Sequence, residues 1–99
     1  MAGNRIELDG RLLTQPEVRV TPAGTPVLRF TLDCSVPGEE LKLSVVMTGD
    51  SALAAKALLE PGRPLKVVGR LRALRAGLKA VASDAAFEVV ADAIELADS

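Results

Sequence analysis

Hydrophobic and polar residues alternate along the first third of the chain. The alternation runs through residues 4–13, is interrupted at 15–17, resumes at 18–20, and returns in residues 27–34. Strict alternation is typical of a β-strand with one buried face. The Pro- and Gly-rich segment 21–26 supplies the backbone angles that a chain reversal needs. The pattern therefore predicts one long, interrupted strand that folds back on a second strand.

Three further strands are predicted in the rest of the chain. Residues 41–47 alternate and then become fully apolar, which predicts a third strand. Residues 65–73 predict a fourth strand, in which Gly69 lies on the inward face and indicates a sharp bend. Periodicity lapses over residues 74–86, which predicts a long hairpin loop before a fifth strand at 87–96.

One helix is predicted between the third and fourth strands, over residues 52–60. Asp50 and Ser51 are good N-cap residues, and Pro61-Gly62 would end the helix. A helix this short is marginal alone in water, so we expect it to pack against the sheet. The apolar face predicted from the helical spacing consists of Leu53, Ala54, Ala57 and Leu58.

The order of these elements predicts the fold class. A helix between the third and fourth of five strands is the arrangement of the oligonucleotide/oligosaccharide-binding (OB) fold. Ninety-nine residues suffice for one core but not for two, so residues 1–99 are expected to form a single domain. We therefore predict a mainly all-β protein: a five-stranded Greek-key OB-fold barrel with one short α-helix between strands 3 and 4.

The composition excludes most catalytic chemistry. The chain has no histidine, which rules out Ser-His-Asp and Cys-His arrangements and leaves Cys34 without partners for a zinc site. No phosphate-binding loop occurs, and the carboxylates lie on predicted solvated strand faces and loops. We expect a protein that is not an enzyme and that has no cofactor, metal or small-molecule substrate.

Cysteine content and hydropathy bear on location. The lone Cys34 cannot form an internal disulfide, which suits a reducing cytoplasm, and its place in a strand pattern favours a small core residue. No apolar run reaches the roughly 18 residues of a membrane span. The N-terminus has no basic region followed by an apolar stretch, as a secretory signal would. The predicted location is cytoplasmic, with no membrane partner.

Charge is unevenly distributed along a nearly neutral chain. The formal net charge is −1, yet five of the twelve basic residues fall between Lys66 and Lys79 with no acid among them. Acidic residues then gather toward the C-terminus. Such segregation can leave one basic surface on a neutral protein. The alternative is a solvated strand edge whose charges prevent aggregation.

Several short segments, taken in order, resemble the bacterial single-stranded-DNA-binding protein family. Their order and spacing are more specific than any one of them, and the resemblance covers essentially the whole chain. Within the family, the chain is most similar to short members that act in the replication-restart primosome, because it stops at Ser99 without a Gly/Gln-rich tail. The matching segments are 4–10, 16–24, Pro26 with 30–32, 61–62, 67–71 and 93–96.

The resemblance implies partners. It implies a homodimer of OB folds that binds single-stranded DNA and bridges it to a PriA-type helicase and a helicase-loading primosome protein. Independently, the apolar residues of the fifth strand exceed what one small barrel needs, which favours a dimer interface. The apolar residues proposed for this interface are Val89-Val90-Ala91 with Ile94 and Leu96.

Binding a single strand requires a basic groove for the phosphates and flat groups on which bases stack. The family resemblance implies basic residues on the first strand and the last hairpin, and Lys42 and Arg70 are added because they alternate outward. Arg29 also alternates outward, but there an ordinary surface charge is favoured. Phe30 is expected in the core. The predicted single-stranded-DNA-binding residues are Arg19, Lys42, Arg70, Arg72, Arg75, Lys79 and Phe87.

Aromatic residues are scarce for such a site. The chain has two Phe and no Trp or Tyr, and the loop at 35–40 has two acids and no aromatic residue. Each stacked base contributes roughly 1–3 kcal/mol, so binding carried mainly by phosphates is expected to be weak and salt-dependent. The alternative function is a degenerate OB module that acts mainly as a protein–protein adaptor without significant DNA binding.

Overall fold

The computed structural model describes residues 3–73 and 87–97. The interrupted first strand is found as two strands, and the other four predicted strands are found within two residues of their predicted bounds. The predicted hairpin loop at 74–86 lies outside the described residues. Within the described ranges the elements are β1 (Ile6–Leu12), β2 (Glu17–Val20), β3 (Pro26–Asp33), β4 (Lys42–Thr48), α1 (Asp50–Lys56), β5 (Pro64–Ala73) and β6 (Phe87–Leu96).

The strands form one sheet that closes on itself. Their order is β1-β5-β6-β4-β3-β2, and β1 also pairs with β3 at Arg11↔Asp33 and Leu12↔Leu32, which closes the ring. The β4–β6 pair is parallel, whereas the other pairs are antiparallel. With α1 between β4 and β5, this confirms the predicted OB-fold barrel.

The inward faces of the strands form one core. Phe30 is buried there as predicted, and Cys34 packs at its margin, half-buried. The interpretation of β6 as a surplus apolar strand is wrong for three of its residues, because the barrel itself buries them. The core consists of Leu12, Leu28, Phe30, Leu32, Val45, Met47, Ala52, Ala55, Leu59, Leu65, Val67, Val89, Ala91 and Ile94.

The start and end of α1 differ from their prediction. Gly49, at a φ of 86°, precedes the helix, and no side chain caps it. Asp50 and Ser51 therefore lie inside the first turn rather than at the cap. The helix ends at Lys56, four residues before the predicted end at residue 60. Within the described ranges, no helix is long and apolar enough to cross a membrane.

The buried face of α1 was also predicted wrongly. Ala52, Ala55 and the following Leu59 are buried, whereas Leu53 is 53% exposed and Leu58 is 38% exposed. Buried alanines let the helix lie close to the sheet, since a small side chain keeps the backbones near each other. The spacing of the larger apolar residues therefore indicated the wrong side of the helix.

Gly69 lies at a β-bulge in β5, at the position where the sequence predicts a sharp bend. The β5–β6 register shifts between Val68, opposite Ala93, and Gly69, opposite Ala91. A Cβ atom at Gly69 would come within 2.1 Å of the Val90 carbonyl oxygen. Only glycine permits that approach, so the bulge and the bend of the barrel depend on it.

Candidate nucleic-acid interface

The cross-strand register aligns outward residues of β2 to β6 in rows on the outside of the barrel. Thr31, Ser44, Glu88 and Arg72 lie in one row across β3, β4, β6 and β5. The neighbouring row runs from Glu17 through Arg29, Val46 and Val90 to Arg70. We call this surface the outer face. Its basic residues are Arg19, Arg29, Lys42, Arg70 and Arg72.

Four of the predicted binding residues lie on the outer face: Arg19 and Lys42 near opposite ends of the β3–β4 ladder, and Arg70 and Arg72 on β5. Their strands are brought together by the barrel although they are far apart in the sequence. Arg75 and Lys79 lie outside the described residues, so their role stays a prediction from sequence.

Phe87 is exposed, at 53%, and pairs with Ala73 at the end of β5. It directly precedes Glu88 in β6, and successive side chains of a strand point to opposite faces. Phe87 is therefore directed away from the outer face, toward the side of the sheet that faces the core. A base stacked on Phe87 would lie around the edge of the sheet from Arg72.

The centre of the outer face holds a buried carboxylate between two arginines. Arg29 donates from Nη1 to Glu88 Oε2 at 2.9 Å, and Arg72 donates from Nε to Glu88 Oε1 at 3.1 Å. Arg72 Nη2 donates to the same Oε1. The Glu88 side chain is only 1% exposed, whereas the side chains of Arg29 and Arg72 are 51% and 46% exposed. The arginines therefore cover the carboxylate and face solvent.

The two arginines keep Glu88 ionised. Burial raises the pKa of Glu88, but the hydrogen bonds from Arg72 and Arg29, together with their positive charges, outweigh it. The net effect is a pKa below the ordinary value of 4.5. At neutral pH the three side chains therefore carry two positive charges and one negative charge, which leaves the cluster cationic.

The other basic residues of the outer face are less constrained. Lys42 Nζ lies 3.6 Å from Glu40 Oε1, and both side chains are well exposed. Such a surface pair contributes little stability and leaves the ammonium accessible. Arg19 and Arg70 form no salt bridge with another described residue. These cations are available to an external anion.

A shallow cleft of about 240 Å³ opens beside Arg29. Its lining is mostly polar, and its single aromatic residue, Phe30, is buried with the core. The cleft thus offers hydrogen-bonding groups and a guanidinium rather than a flat surface for a base. The lining residues are Thr14, Gln15, Glu17, Arg29, Phe30, Thr31 and Ser44.

Sequence reasoning missed two members of this site, Arg29 and Glu88. The alternation predicts that Arg29 lies on the outward face of its strand, but an isolated arginine at such a position is typical of an ordinary surface charge. Glu88 is one of the acidic residues that gather toward the C-terminus, and its position in the sequence does not distinguish it from the others. Their pairing depends on β6 lying beside β4, and 59 residues separate them in the chain.

A closed barrel of this topology, with a helix between its third and fourth predicted strands, defines the class of OB-fold domains. The comparison with protein families is more specific. Residues 3–97 match the Single-strand binding protein family, and the chain belongs to that family. No curated protein matches the chain.

Solved structures agree with the family assignment. A deletion mutant of the single-stranded DNA binding protein from Thermus aquaticus is 29% identical, with a TM-score of 0.79 over 97% of this chain. The match covers only 42% of that longer chain. The small single-stranded DNA-binding protein from Streptomyces coelicolor is 26% identical, with a TM-score of 0.77, and the match covers 97% of this chain and 94% of that one.

A third structure supports the fold alone. It is the SSB domain of a Synechococcus sp. protein, which is 21% identical with a TM-score of 0.77. The match covers 96% of this chain and 97% of that one.

Proposed function

We propose that this protein binds single-stranded DNA on the outer face of the barrel. The observation that carries the proposal is the presence of five basic side chains from four strands on that face, within a chain whose formal net charge is −1. Family membership and the names of the two relatives above 25% identity support the same ligand.

Binding is proposed to rest mainly on the phosphates. Arg and Lys side chains attract the backbone of a single strand and release its counterions, which makes affinity fall with salt. Among the described residues of the outer face there is no exposed aromatic side chain, so base stacking there is limited to guanidinium planes. The expected binding is weak, tolerant of sequence and strongly dependent on salt.

The test is a fluorescence-anisotropy titration of a labelled dT oligonucleotide of about thirty nucleotides, from low to physiological salt. The proposal expects micromolar or tighter binding at low salt that weakens steeply as salt rises. A matched control is Arg63→Ala, which removes an arginine that pairs with Glu60 beyond the opposite end of β5 and should leave binding unchanged. Absence of binding at low salt would favour the protein–protein adaptor instead.

We further propose that the protein acts as a homodimer. Within the described residues, β1 pairs with β5 from Ile6 to Arg11, but with β3 only at Arg11 and Leu12. Its second edge from Ile6 to Gly10 therefore has no strand partner there. An open edge is protected when a second copy pairs with it across a two-fold axis. Sedimentation equilibrium should give twice the chain mass of 10.3 kDa; the mass of a monomer would contradict the dimer.

We also propose that the protein acts in replication restart. The segments that resemble the single-stranded-DNA-binding family also resemble those of primosomal replication protein N (PriB), which supports this proposal. A protein of that kind bridges DNA, a PriA-type helicase and a helicase-loading partner. Adding such a helicase to the protein–dT complex should raise the anisotropy further at a salt concentration where the helicase alone leaves the oligonucleotide free. If the helicase does not raise the anisotropy further, this role is excluded.

A further inference from the structure

We propose that Glu88 is a positioning residue that holds Arg29 and Arg72 together as one phosphate-binding fork on the outer face. The inference rests on the proposed single-stranded-DNA binding and names the group of the DNA that this site takes. Glu88 itself does not touch the ligand. Its role is to set the separation and orientation of two cations that come from β3 and β5.

The hydrogen bonds divide the carboxylate between the two arginines. Oε2 accepts from Arg29 and Oε1 accepts from Arg72, so one side chain fixes both guanidiniums. A guanidinium has more N–H donors than these contacts use. Since both arginine side chains are about half exposed, their remaining donors lie toward solvent on the outer face.

The ion pairs make this arrangement rigid. Glu88 holds both guanidiniums through charge-assisted hydrogen bonds, and moving either arginine away breaks at least one of them. Free surface arginines lose side-chain entropy when they bind a ligand. The folded chain has already ordered Arg29 and Arg72. That prior ordering lowers the entropic cost of binding.

Among the chemical groups of single-stranded DNA, a phosphodiester fits the fork best. Planar guanidiniums donate in pairs to phosphate oxygens, with a geometry that lysine lacks. The cluster keeps a net positive charge after Glu88 is counted. The adjoining cleft contributes the hydroxyl groups of Thr31 and Ser44, which can donate to a neighbouring phosphate or sugar oxygen.

A competing account makes Glu88 a mask that only neutralises the arginines. The two accounts differ in the coupling between Glu88 and Arg29. A glutamine at position 88 has only one acceptor oxygen, and this oxygen should accept the two hydrogen bonds from Arg72. The NH₂ group of the glutamine would then face the N–H donors of Arg29, and the hydrogen bond to Arg29 would be lost. Positioning predicts that Arg29 then matters less for binding. Masking predicts that Arg29 is freed and matters more.

The experiment is a double-mutant cycle with labelled dT of about thirty nucleotides. In the wild-type background, Arg29→Ala should weaken binding about tenfold, the equivalent of about 1.4 kcal/mol. In the Glu88→Gln background it should weaken binding less than about threefold. The control is Glu95→Gln, which removes an equal charge from an exposed site on β6 and should leave the tenfold effect of Arg29→Ala intact.

Arg29→Lys gives a second test that keeps Glu88 unchanged and leaves a positive charge beside it. Lysine keeps the charge but not the planar donors, so affinity should fall about fivefold while the dependence on salt stays that of the wild type. Arg63→Lys should have no effect. If Glu88→Gln fails to fold, as judged by circular dichroism, Arg29→Lys decides the question.

Each outcome separates the fork from the proposed function. Wild-type binding with an equal or larger Arg29→Ala effect in Glu88→Gln overturns the fork and leaves the proposed function standing. Binding by Arg29→Lys within twofold of wild type does the same. No binding by the wild type at low salt overturns the proposed function, and the fork with it.

Discussion

The side chain of Asn4 pairs with the backbone of Leu71 at both of its polar atoms. Its Oδ1 accepts from the Leu71 N–H at 2.6 Å, and its Nδ2 donates to the Leu71 carbonyl oxygen at 3.2 Å. The β1–β5 ladder ends at Ile6↔Gly69, so Asn4 extends it by a further pair of hydrogen bonds. The contact joins the N-terminal segment to the part of β5 that carries Arg70 and Arg72.

Asn4→Ala should therefore destabilise the protein by about 1 kcal/mol, since an exposed hydrogen bond contributes about 0.5–1.5 kcal/mol net. Urea unfolding measures this loss, and hydrogen exchange should locate it at Leu71. Asn4→Asp keeps the acceptor for the Leu71 N–H and should retain part of the stability. An Asn4→Ala protein as stable as the wild type would show that the contact contributes nothing.

Gly69→Ala should be severely destabilising. The added Cβ atom would come within 2.1 Å of the Val90 carbonyl oxygen and 2.9 Å of the Ala91 Cα, so two backbones would have to separate. Overpacking against backbone costs on the order of 3 kcal/mol or more. The control is Gly3→Ala, where nothing lies within 4 Å of the added atom. Equal midpoints of thermal unfolding for the two variants would contradict the bulge argument.

Acid should destabilise the protein partly through Glu88. Because Arg72 and Arg29 hold its pKa below the ordinary value of 4.5, the unfolded chain takes up the proton first as the pH falls. The stabilisation is complete above about pH 4.5 and is lost as the pH falls from there through the lower pKa of the folded state. Urea unfolding at a series of pH values from neutral down to about 3 measures this slope.

Glu88→Gln should be less stable than the wild type at neutral pH and should lose less stability on acidification. Glu95→Gln, at an exposed position, is the matched control and should keep the acid dependence of the wild type. If Glu88→Gln and the wild type lose the same free energy of unfolding between neutral pH and about pH 3, the buried carboxylate does not contribute to the acid sensitivity.

The fold was readable from the sequence to a large extent. Alternation identified the strands, since one side of each faces the core, and Gly69 indicated the bend. The buried face of α1 was not readable, because Ala52 and Ala55 are buried in place of the larger Leu53. Helix packing against β3 is decided by how closely the backbones approach, which hydropathy does not report.

The candidate site was readable only in part. The family resemblance predicts Arg19 and Arg72, outward alternation predicts Lys42 and Arg70, and all four lie on the outer face. The pairing of Arg29 with Glu88 was not predictable, because it depends on the register of β3, β4 and β6. A single-residue shift in any of them would turn one partner toward the core.

Arg75 and Lys79 remain predictions from the sequence. Their basic segment between β5 and β6 has the composition of a phosphate contact. The double variant Arg75→Ala/Lys79→Ala should lower the affinity for dT and flatten its dependence on salt, as measured by anisotropy. A salt dependence equal to that of the wild type would exclude both residues from the interface.

The most direct test of the account is the slope of log K against log salt concentration for dT of about thirty nucleotides. Each phosphate contact on a single strand contributes about −0.7 to that slope. Wild type should show a steep negative slope, and Arg19→Ala/Arg70→Ala should make it shallower by about 1.4, since these two cations have no salt-bridge partner among the described residues. A wild-type slope near zero, or one that the double variant leaves unchanged, would contradict phosphate binding by the outer face.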